Sequence, residues 1–266
     1  MKKDINNLEA KILSLLQTGK LMAIKAEFEA EGTRIEELGI LSNICFKNNV
    51  PLTLKTGGPA AIRDVFEAFQ LGSKNILIPM VESTYSLEYF ISSYNKFLKD
   101  FHDLNIINKL SINIESKLGY KNIDNILNLI EEKSLPISHI VIGRTDLSSS
   151  LNINDVNSEE ILDISKEIII KASHRNIRCT IGGKLSYDSF EFIKCLKKYN
   201  LEAFESRKAT FKLNSSLTKK EFDNLIYLGL EFELAWLNLK REMYNFRSQE
   251  ENTRIETIKK RLTIDD

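Results

Sequence analysis

The sequence has no apolar run long enough to cross a bilayer, because its longest apolar runs are strand-sized and far short of the roughly 20 residues that a transmembrane helix needs. It also has no net charge, since 37 basic residues balance 37 acidic ones. No basic stripe interleaved with aromatic residues is present, which disfavours nucleic acid as a partner. These absences predict a protein whose partner is neither a membrane nor a nucleic acid.

Cysteine is scarce, and its pattern excludes the usual cysteine-based sites. Cys45, Cys179 and Cys195 are odd in number and show no paired metal-ligand spacing, so we interpret them as small buried hydrophobes. The N-terminal residues 1–4 lead into an amphipathic stretch rather than into the apolar core of a signal peptide. Together these features predict a reduced, cytoplasmic protein.

The chain shows regular alternation of strand-like and helix-like segments. Its 266 residues are 42% hydrophobic and 28% charged, as in ordinary globular proteins. The short connections are typical of repeated βα units around a parallel sheet. Seven strands are predicted, and an eighth near Phe211 would complete a TIM-type (β/α)₈ barrel, which is the α/β fold we expect. A doubly wound open sheet is the alternative, but no G-x-G-x-x-G follows the first strand.

The two ends of the chain are predicted to be helical. An N-terminal helix is expected over residues 4–18, and a long C-terminal helix is expected from Thr218, where apolar positions recur from Phe222 to Met243. We therefore divide the chain into a barrel with its N-terminal helix, residues 1–217, and a C-terminal helical extension, residues 218–266. The extension is expected to pack on the barrel or on another subunit and to end in a mobile tail beyond Tyr244.

The helices between the strands are predicted from caps and periodicity. Thr33 is a suitable N-cap with Glu36 three residues later, for a helix to about Asn48. Further helices are expected over about 83–103, 120–133, 158–174 and 187–199. The three histidines, at positions 102, 139 and 174, fall away from the expected active face and are interpreted as structural.

Two acidic residues follow two neighbouring predicted strands where each strand ends. Glu115 follows the apolar run 111–114, and Asp146 follows the run 140–145. A buried acidic residue needs a partner, and a divalent cation commonly serves a pair of carboxylates. The carboxyl end of barrel strands is also where active sites lie. The sequence therefore predicts that Glu115 and Asp146 converge on one cation at that end.

Each candidate residue also has a structural interpretation. Asp146 would cap a following helix, and Glu115 would pair with a buried Lys or Arg without any metal. Lys55, at the end of the second predicted strand, is either a substrate ligand or an ion-pair partner inside the barrel. Glu27 and Glu29, after the first strand, are either acid–base groups or part of a solvated acidic loop.

Three further features are candidates for substrate binding. Glu205, Arg207 and Lys208 form a charged cluster at the end of the last predicted strand. Gly57-Gly58 would either cradle a phosphate at a helix N-terminus or form a tight turn. Gly182-Gly183 offers the same two interpretations, of which the turn is favoured.

Three stretches resemble the HpcH/HpaI aldolase and citrate lyase β-subunit family, within the phosphoenolpyruvate/pyruvate barrel superfamily. Residues 71–83 resemble the family's "LG…LIPMV" strand, and Asn113-Ile114-Glu115 resembles its "QIE" strand. Residues 142–148, IGRTDLS, resemble its "IGPADLS" segment and are the most specific of the three. The similarity extends over residues 20–213.

The resemblance implies a (β/α)₈ barrel that binds Mg²⁺, or Mn²⁺ or Co²⁺ in its place. Members make or break a C–C bond beside the carbonyl of a 2-oxo acid or related acyl substrate. By position, Glu115 and Asp146 would be the metal ligands. The backbone N–H groups of Arg144, Thr145 and Asp146, with Gly143 beside them, would lie near the substrate carboxylate. Members usually assemble as oligomers, so a homo-oligomer is expected.

The chain departs from the family pattern at three positions. Phe28 replaces a histidine of the aldolases, so Glu27, Glu29, a metal-bound water or a substrate phosphate would supply the base. Lys55 replaces an arginine that touches the substrate, and it keeps the charge but not the planar fork. Arg144 replaces a proline and adds a cation beside the metal site.

These residues predict a divalent-metal-dependent C–C lyase or aldolase acting on a small 2-oxo acid or acyl substrate. Lys55, Glu27 and Arg144 are the candidate catalytic residues, with Glu205 and Arg207 also expected to bind substrate. One alternative is a phosphoenolpyruvate-dependent transferase or hydrolase on the same barrel. Another is a non-catalytic barrel used for binding or assembly through its C-terminal helix.

Overall fold

Eight strands close into a single barrel in a computed structural model that describes residues 1–100 and 109–262. The strands β1 to β7 run parallel to one another, whereas β8 is antiparallel to both of its neighbours, β7 and β1. The strands are β1 (Leu21–Glu27), β2 (Leu52–Lys55), β3 (Asn75–Ile78), β4 (Lys109–Ile114), β5 (Ile137–Gly143), β6 (Arg178–Gly182), β7 (Ala203–Glu205) and β8 (Ala209–Lys212).

Helices surround the barrel, and most of them connect consecutive parallel strands. They are α1 (Lys2–Gln17), α2 (Ile35–Lys47), α3 (Ile62–Gln70), α4 (Thr84–Asp100), α5 (Lys117–Lys121), α6 (Ile123–Glu132), α7 (Arg144–Ser150), α8 (Glu159–Ser173), α9 (Phe190–Lys197) and α10 (Lys219–Leu262). In the described ranges, every helix is either too short or too polar to cross a lipid bilayer. The predicted barrel, with its N-terminal helix and long C-terminal helix, is confirmed.

The closure of the barrel is where the observed fold departs from a regular (β/α)₈ barrel. Residues around Phe211 do supply the eighth strand, but a tight turn after β7 sends β8 back antiparallel to it. Ser206 holds this turn, because its hydroxyl accepts a hydrogen bond from the Ala209 amide at 3.1 Å. The backbone N–H of Lys25 then donates to the carbonyl of Lys208 at 2.8 Å, which joins β8 to β1.

Several helix boundaries also differ from the predicted ones. The α2 helix begins after Arg34, whose amide donates to Glu37 at 3.0 Å, so Glu37 rather than Glu36 caps this end. The helix expected over 120–133 is divided into α5 and α6. The stretch beyond Tyr244, which was expected to be a mobile tail, is helical, because α10 continues to Leu262. The expected end of the 83–103 helix, including His102, lies outside the described residues.

The last helix packs against α1 and the barrel through one apolar face. The sole tryptophan, Trp236, is fully buried in that face, and Phe222 packs against Phe204 of β7 with ring centroids 5.1 Å apart. A Cβ on Gly229 would lie 2.7 Å from the Ser206 hydroxyl, so α10 approaches the β7–β8 turn closely. The α10 helix therefore packs against the outside of the barrel where β7 and β8 pair.

Candidate functional site

Glu115 lies at the carboxyl end of the barrel, directly after β4, and is only 2% exposed. Its Oε1 accepts a hydrogen bond from the Met80 amide at 3.0 Å, and its Oε2 accepts one from Asn113 Nδ2 at 2.6 Å. Burial raises the pKa of this carboxyl. The nearby cation of Lys55 opposes that rise, and the charges of Glu29 and Asp146 add to it. The carboxylate is thus held rigidly in a place where a further cation would stabilise it.

Lys55, at the end of β2, is the cation closest to Glu115. Its Nζ lies 3.3 Å from Glu115 Oε2 and 2.5 Å from Glu29 Oε2, and its side chain is buried. Burial by itself lowers the pKa of Lys55, but the attraction of Glu115, Glu29 and Glu27 is larger in sum and raises it. Lys55 is therefore charged at the mouth of the barrel. It forms an ion pair there, which was one of the two interpretations of this residue.

Asp146 lies in the first turn of α7 and is exposed. Its negative charge adds to the rise in the pKa of Glu115. Asp146 follows β5, which pairs in parallel with β4, so the two residues lie at the same end of the barrel. The helix already begins at Arg144 and has Gly143 at its N-cap, so the expectation that Asp146 caps a helix is wrong. Among the described residues, the Asp146 carboxylate has no hydrogen-bond or ion-pair partner.

The residues around Glu115 suit a hard divalent cation in type. The Glu115 carboxylate is an oxygen ligand, and the buried Oδ1 of Asn113 beside it has no hydrogen-bond partner among the described residues. No group of three or more His, Cys, Asp or Glu side chains is arranged to hold a metal in the part of the chain that the structure describes. A cation at Glu115 and Asp146 would therefore complete its shell with water and substrate, as Mg²⁺ commonly does.

Arg144 is fully buried, and its guanidinium is turned toward the segment after β6 and away from Glu115. It donates to the Gly182 and Gly183 carbonyls at 3.1 and 2.7 Å and to Asn157 Oδ1 at 2.6 Å. It also lies over the Phe192 ring, 4.6 Å from the ring centroid, and burial lowers its pKa to about 10. These contacts use the hydrogen-bond donors of the Arg144 guanidinium. Arg144 therefore fixes the segment after β6, and its guanidinium is not positioned to bind a substrate.

The acidic segment after β1 forms a second charged cluster at the same mouth. Glu27 is buried and lies 3.7 Å from the guanidinium of Arg207, which also bonds Glu31 at 3.0 Å. Lys208 is buried and pairs with Glu31 as well. Glu27 and Arg207 are thus brought together with Lys55 and Glu29, and the interpretation of this segment as a solvated loop is wrong for Glu27 and Glu31.

Glu205 belongs to a deeper layer of the barrel than the other candidates. Its Oε1 pairs with Lys25 of β1, and Thr210 of β8 donates to its Oε2 at 3.4 Å. The structure therefore separates Glu205 from Arg207, although the two residues are close in sequence.

Two glycine segments line the rim, and both act as turns. Gly183 has φ +82°, and a Cβ there would lie 2.5 Å from the Thr145 amide nitrogen, so only glycine allows this approach to α7. The Gly57 amide already donates to Asp64 Oδ2 at 2.6 Å, which ties the 57–58 segment to α3. Gly143 lies against Glu115, and Thr145 lies against Gly183; substrate binding by Gly143 and Thr145 stays a prediction.

Sequence reasoning missed two residues of the site. The Met80 amide anchors Glu115, and Met80 has φ +50°, an unusual conformation for a non-glycine residue. Met80 falls within residues 71–83, which resemble a strand of the family, and that resemblance was the available signal. Glu233 of α10 lies 4.0 Å from Arg207, and nothing local in the sequence connects these two positions.

A closed barrel with buried carboxylates at its carboxyl mouth defines a class of α/β-barrel proteins that bind ligands at that end. The family model for HpcH/HpaI aldolase/citrate lyase matches residues 40–182, so the chain belongs to this family. The resemblance noted in the sequence is thereby confirmed. No curated protein sequence matches the chain significantly.

Solved structures show the same fold at low sequence identity. An HpcH/HpaI aldolase from Desulfitobacterium hafniense DCB-2 is 12% identical, with a TM-score of 0.55 over 68% of this chain and 74% of that one. Citrate synthase SbnG is 18% identical, with a TM-score of 0.57 over 83% and 85%. Haloferax volcanii malate synthase, in its magnesium/glyoxylate complex, is 11% identical, with a TM-score of 0.57 over 76% and 64%. The fold is therefore shared with both lyases and synthases.

Proposed function

We propose that this protein is a divalent-metal-dependent enzyme that makes or breaks a C–C bond next to the carbonyl of a small 2-oxo acid or related acyl substrate. The observation that carries the proposal is the setting of Glu115. It is a buried carboxylate at the mouth of a barrel of this family, with Asp146 at the same mouth and an unpartnered amide oxygen beside it. Glu115 and Asp146 would hold Mg²⁺, with Mn²⁺ or Co²⁺ as substitutes.

Such a reaction passes through an enolate, whose negative charge has to be stabilised. A divalent ion bound there would supply that stabilisation as a Lewis acid. Lys55 would bind the substrate carboxylate or carbonyl oxygen, because its ammonium is already fixed by Glu29 and Glu115. The ammonium is already in position before the substrate binds, so it needs little reorganisation when negative charge develops on the substrate.

The proton has to be moved by a group other than the histidine that Phe28 replaces. Glu27 and Glu29 are the carboxylates nearest to Lys55 at the end of β1. Glu29 contacts Lys55 directly, whereas Glu27 lies beside Arg207. We assign the general base to this pair, with Glu27 as the buried member.

The proposal is tested by aldol cleavage and condensation assays with Mg²⁺, and by calorimetry with Mg²⁺ and oxalate, which mimics a planar enolate. Glu115→Gln and Asp146→Asn should lose both activity and metal-dependent oxalate binding. Asp163→Asn is the matched control, because Asp163 is exposed on α8. If both site variants bind and react like the control, the proposal is wrong.

A second candidate is a phosphoenolpyruvate-dependent transferase or hydrolase at the same site. It is favoured by Phe28, which removes a base that aldol chemistry uses, and by Lys55, a point charge that suits a phosphate. Phosphate release or transfer without C–C cleavage would identify it. Absence of any affinity for Mg²⁺ with pyruvate or oxalate would instead support the non-catalytic barrel.

A further inference from the structure

The amino end of the barrel, opposite the candidate site, is hollow. It contains a cavity of about 390 Å³. In barrels of this type the interior is normally filled by bulky branched side chains. Here seven strands each contribute a small or polar residue to the lining, and Met22, Leu77 and Val141 add apolar surface. The small or polar residues, from β1 to β6 and β8 in order, are Ala23, Thr53, Asn75, Ser111, His139, Thr180 and Thr210.

The inward face of β4 shows how the interior changes along the barrel. Successive inward residues are Lys109 at the lower rim, Ser111 in the cavity, Asn113 in the middle and Glu115 at the mouth. The cavity and the candidate active site are therefore two chambers of one barrel. The Lys25–Glu205 ion pair also lies inside the barrel, and Glu205 lines the cavity.

The cavity wall is rich in hydrogen-bonding groups. Asn75 donates to Thr53 Oγ1 at 3.0 Å, and His139 Nε2 lies 2.6 Å from Thr180 Oγ1. Glu202 also lines the cavity, and its buried Oε2 lies 3.5 Å from His139 Nδ1 but has no hydrogen-bond partner among the described residues. A buried carboxylate oxygen that lacks a hydrogen bond is stabilised by a closer donor, so this wall is suited to a ligand that brings hydroxyl groups.

The rim of the cavity is positively charged. Lys74, Lys109 and Arg178 surround it from the starts of β3, β4 and β6. Arg178 donates to Glu202 Oε1 at 3.0 Å and thus neutralises that carboxylate, as Lys25 neutralises Glu205. The two lysines remain as compact point charges at the opening, which attract anions and suit a phosphate.

We propose that this cavity is a second ligand site, which takes a small phosphate monoester that carries hydroxyl groups. The phosphate lies between Lys74 and Lys109 at the rim, and the hydroxyls reach Ser111, Thr180 and Glu202 inside. The volume lies within the range of about 300–1,000 Å³ that is typical of small-molecule pockets. The proposal does not depend on the chemistry assigned to the mouth.

Calorimetry with glycerol 3-phosphate and with ribose 5-phosphate tests the proposal, with glycerol and ribose as uncharged controls. The wild-type protein should bind one phosphate ester per chain, and the uncharged compounds should not bind measurably. Replacing both lysines, in Lys74→Met/Lys109→Met, should weaken binding by about tenfold or more, because two charge-assisted contacts are lost. Lys117→Met removes an exposed charge from the other end of the barrel and should leave binding unchanged.

Two interior variants separate the cavity from a merely basic surface. Ser111→Leu fills the cavity and should abolish binding, and Thr180→Val removes one hydroxyl at nearly constant shape and should weaken it. Circular dichroism and urea midpoints of both variants show whether the barrel is intact. Absence of ester binding by the wild type would overturn the proposal, and so would undiminished binding in Thr180→Val together with the double lysine variant.

Discussion

Glu115 and Gly143 are in such close contact that the second residue has to be glycine. A Cβ on Gly143 would lie 2.8 Å from both Cβ and Oε2 of Glu115. The contact follows from the pairing of β4 with β5, in which Ile114 lies beside Ile142. The glycine that ends β5 thus leaves the space into which the Glu115 carboxylate extends.

Gly143→Ala should therefore displace Glu115. We expect a loss of about 1–3 kcal/mol in the free energy of unfolding, as for other overpacked sites, together with weaker metal-dependent oxalate binding. Gly39→Ala is the control, because a Cβ at this exposed position of α2 would meet nothing within 4 Å. That variant should gain about 0.5–1 kcal/mol from the better helix propensity of alanine. Urea denaturation measures both, and unchanged stability and binding in Gly143→Ala would show that the contact does not confine Glu115.

Arg144→Lys should lower stability, because lysine keeps the charge but cannot bond the Gly182 and Gly183 carbonyls and Asn157 together. We expect a loss of about 3 kcal/mol, since buried acceptors are left without donors. Arg63→Lys, at an exposed position on α3, is the matched control. A variant with normal stability but altered substrate affinity would assign Arg144 to the substrate instead.

Lys55→Met should leave Glu115 and Glu29 without their cation. We expect a loss of about 3–5 kcal/mol at neutral pH, the cost of a buried charge that loses its partner. The pKa of Lys55 is raised in the fold, so its contribution to stability is fully present below its ordinary pKa and is lost only as pH rises above it. Lys55→Arg keeps the charge and should recover most of the loss. Urea denaturation of wild type, Lys55→Met and Lys55→Arg gives the comparison, and the deficit of Lys55→Met should shrink in mild acid as the Glu115 carboxyl, whose pKa is raised, takes up a proton.

His139 should make the protein less stable in mild acid. Burial, helped by Arg178 and Lys109, lowers the pKa of His139 from 6.5 to about 4. The unfolded chain therefore takes up a proton first, and stability is lost as pH falls from about 6.5 to 4, by up to about 3 kcal/mol in total.

His139→Gln should flatten this part of the pH dependence, and His174→Gln, at an exposed position on the surface, is the control. The free energy of unfolding measured by urea across this pH range gives the comparison. Equal slopes in His139→Gln and wild type would contradict the assignment.

Much of the barrel could be predicted because its buried parallel strands are continuous apolar runs joined by short connections. The reversal of β8 could not, because the turn Ser206-Arg207-Lys208 has none of the Asn-Gly or Asp-Gly signals of tight hairpins. The whole stretch from Leu201 to Phe211 therefore looked as much like one strand as like two.

The mouth of the barrel was predictable only in part. Glu115 and Lys55 end strands, and strand ends fix where side chains emerge. The direction of Arg144 depends on Asn157 and on Gly182, which belong to other connections. The hollow lower end left no signal either, because its small polar residues are dispersed along the chain and become neighbours only in the closed barrel.

The reversed direction of β8 decides where the last helix stands. Because β8 returns the chain to the amino end of the barrel, α10 starts at that end. It then runs past the β7–β8 turn to the first turn of α2, where the Tyr244 hydroxyl donates to Glu37. At about 1.5 Å per residue its 44 residues extend for about 66 Å, and residues 245–262, almost wholly exposed, project past the rim. This exposed stretch therefore begins beside the first turn of α2, at the same end of the barrel as Glu115, and extends away from the rest of the described chain.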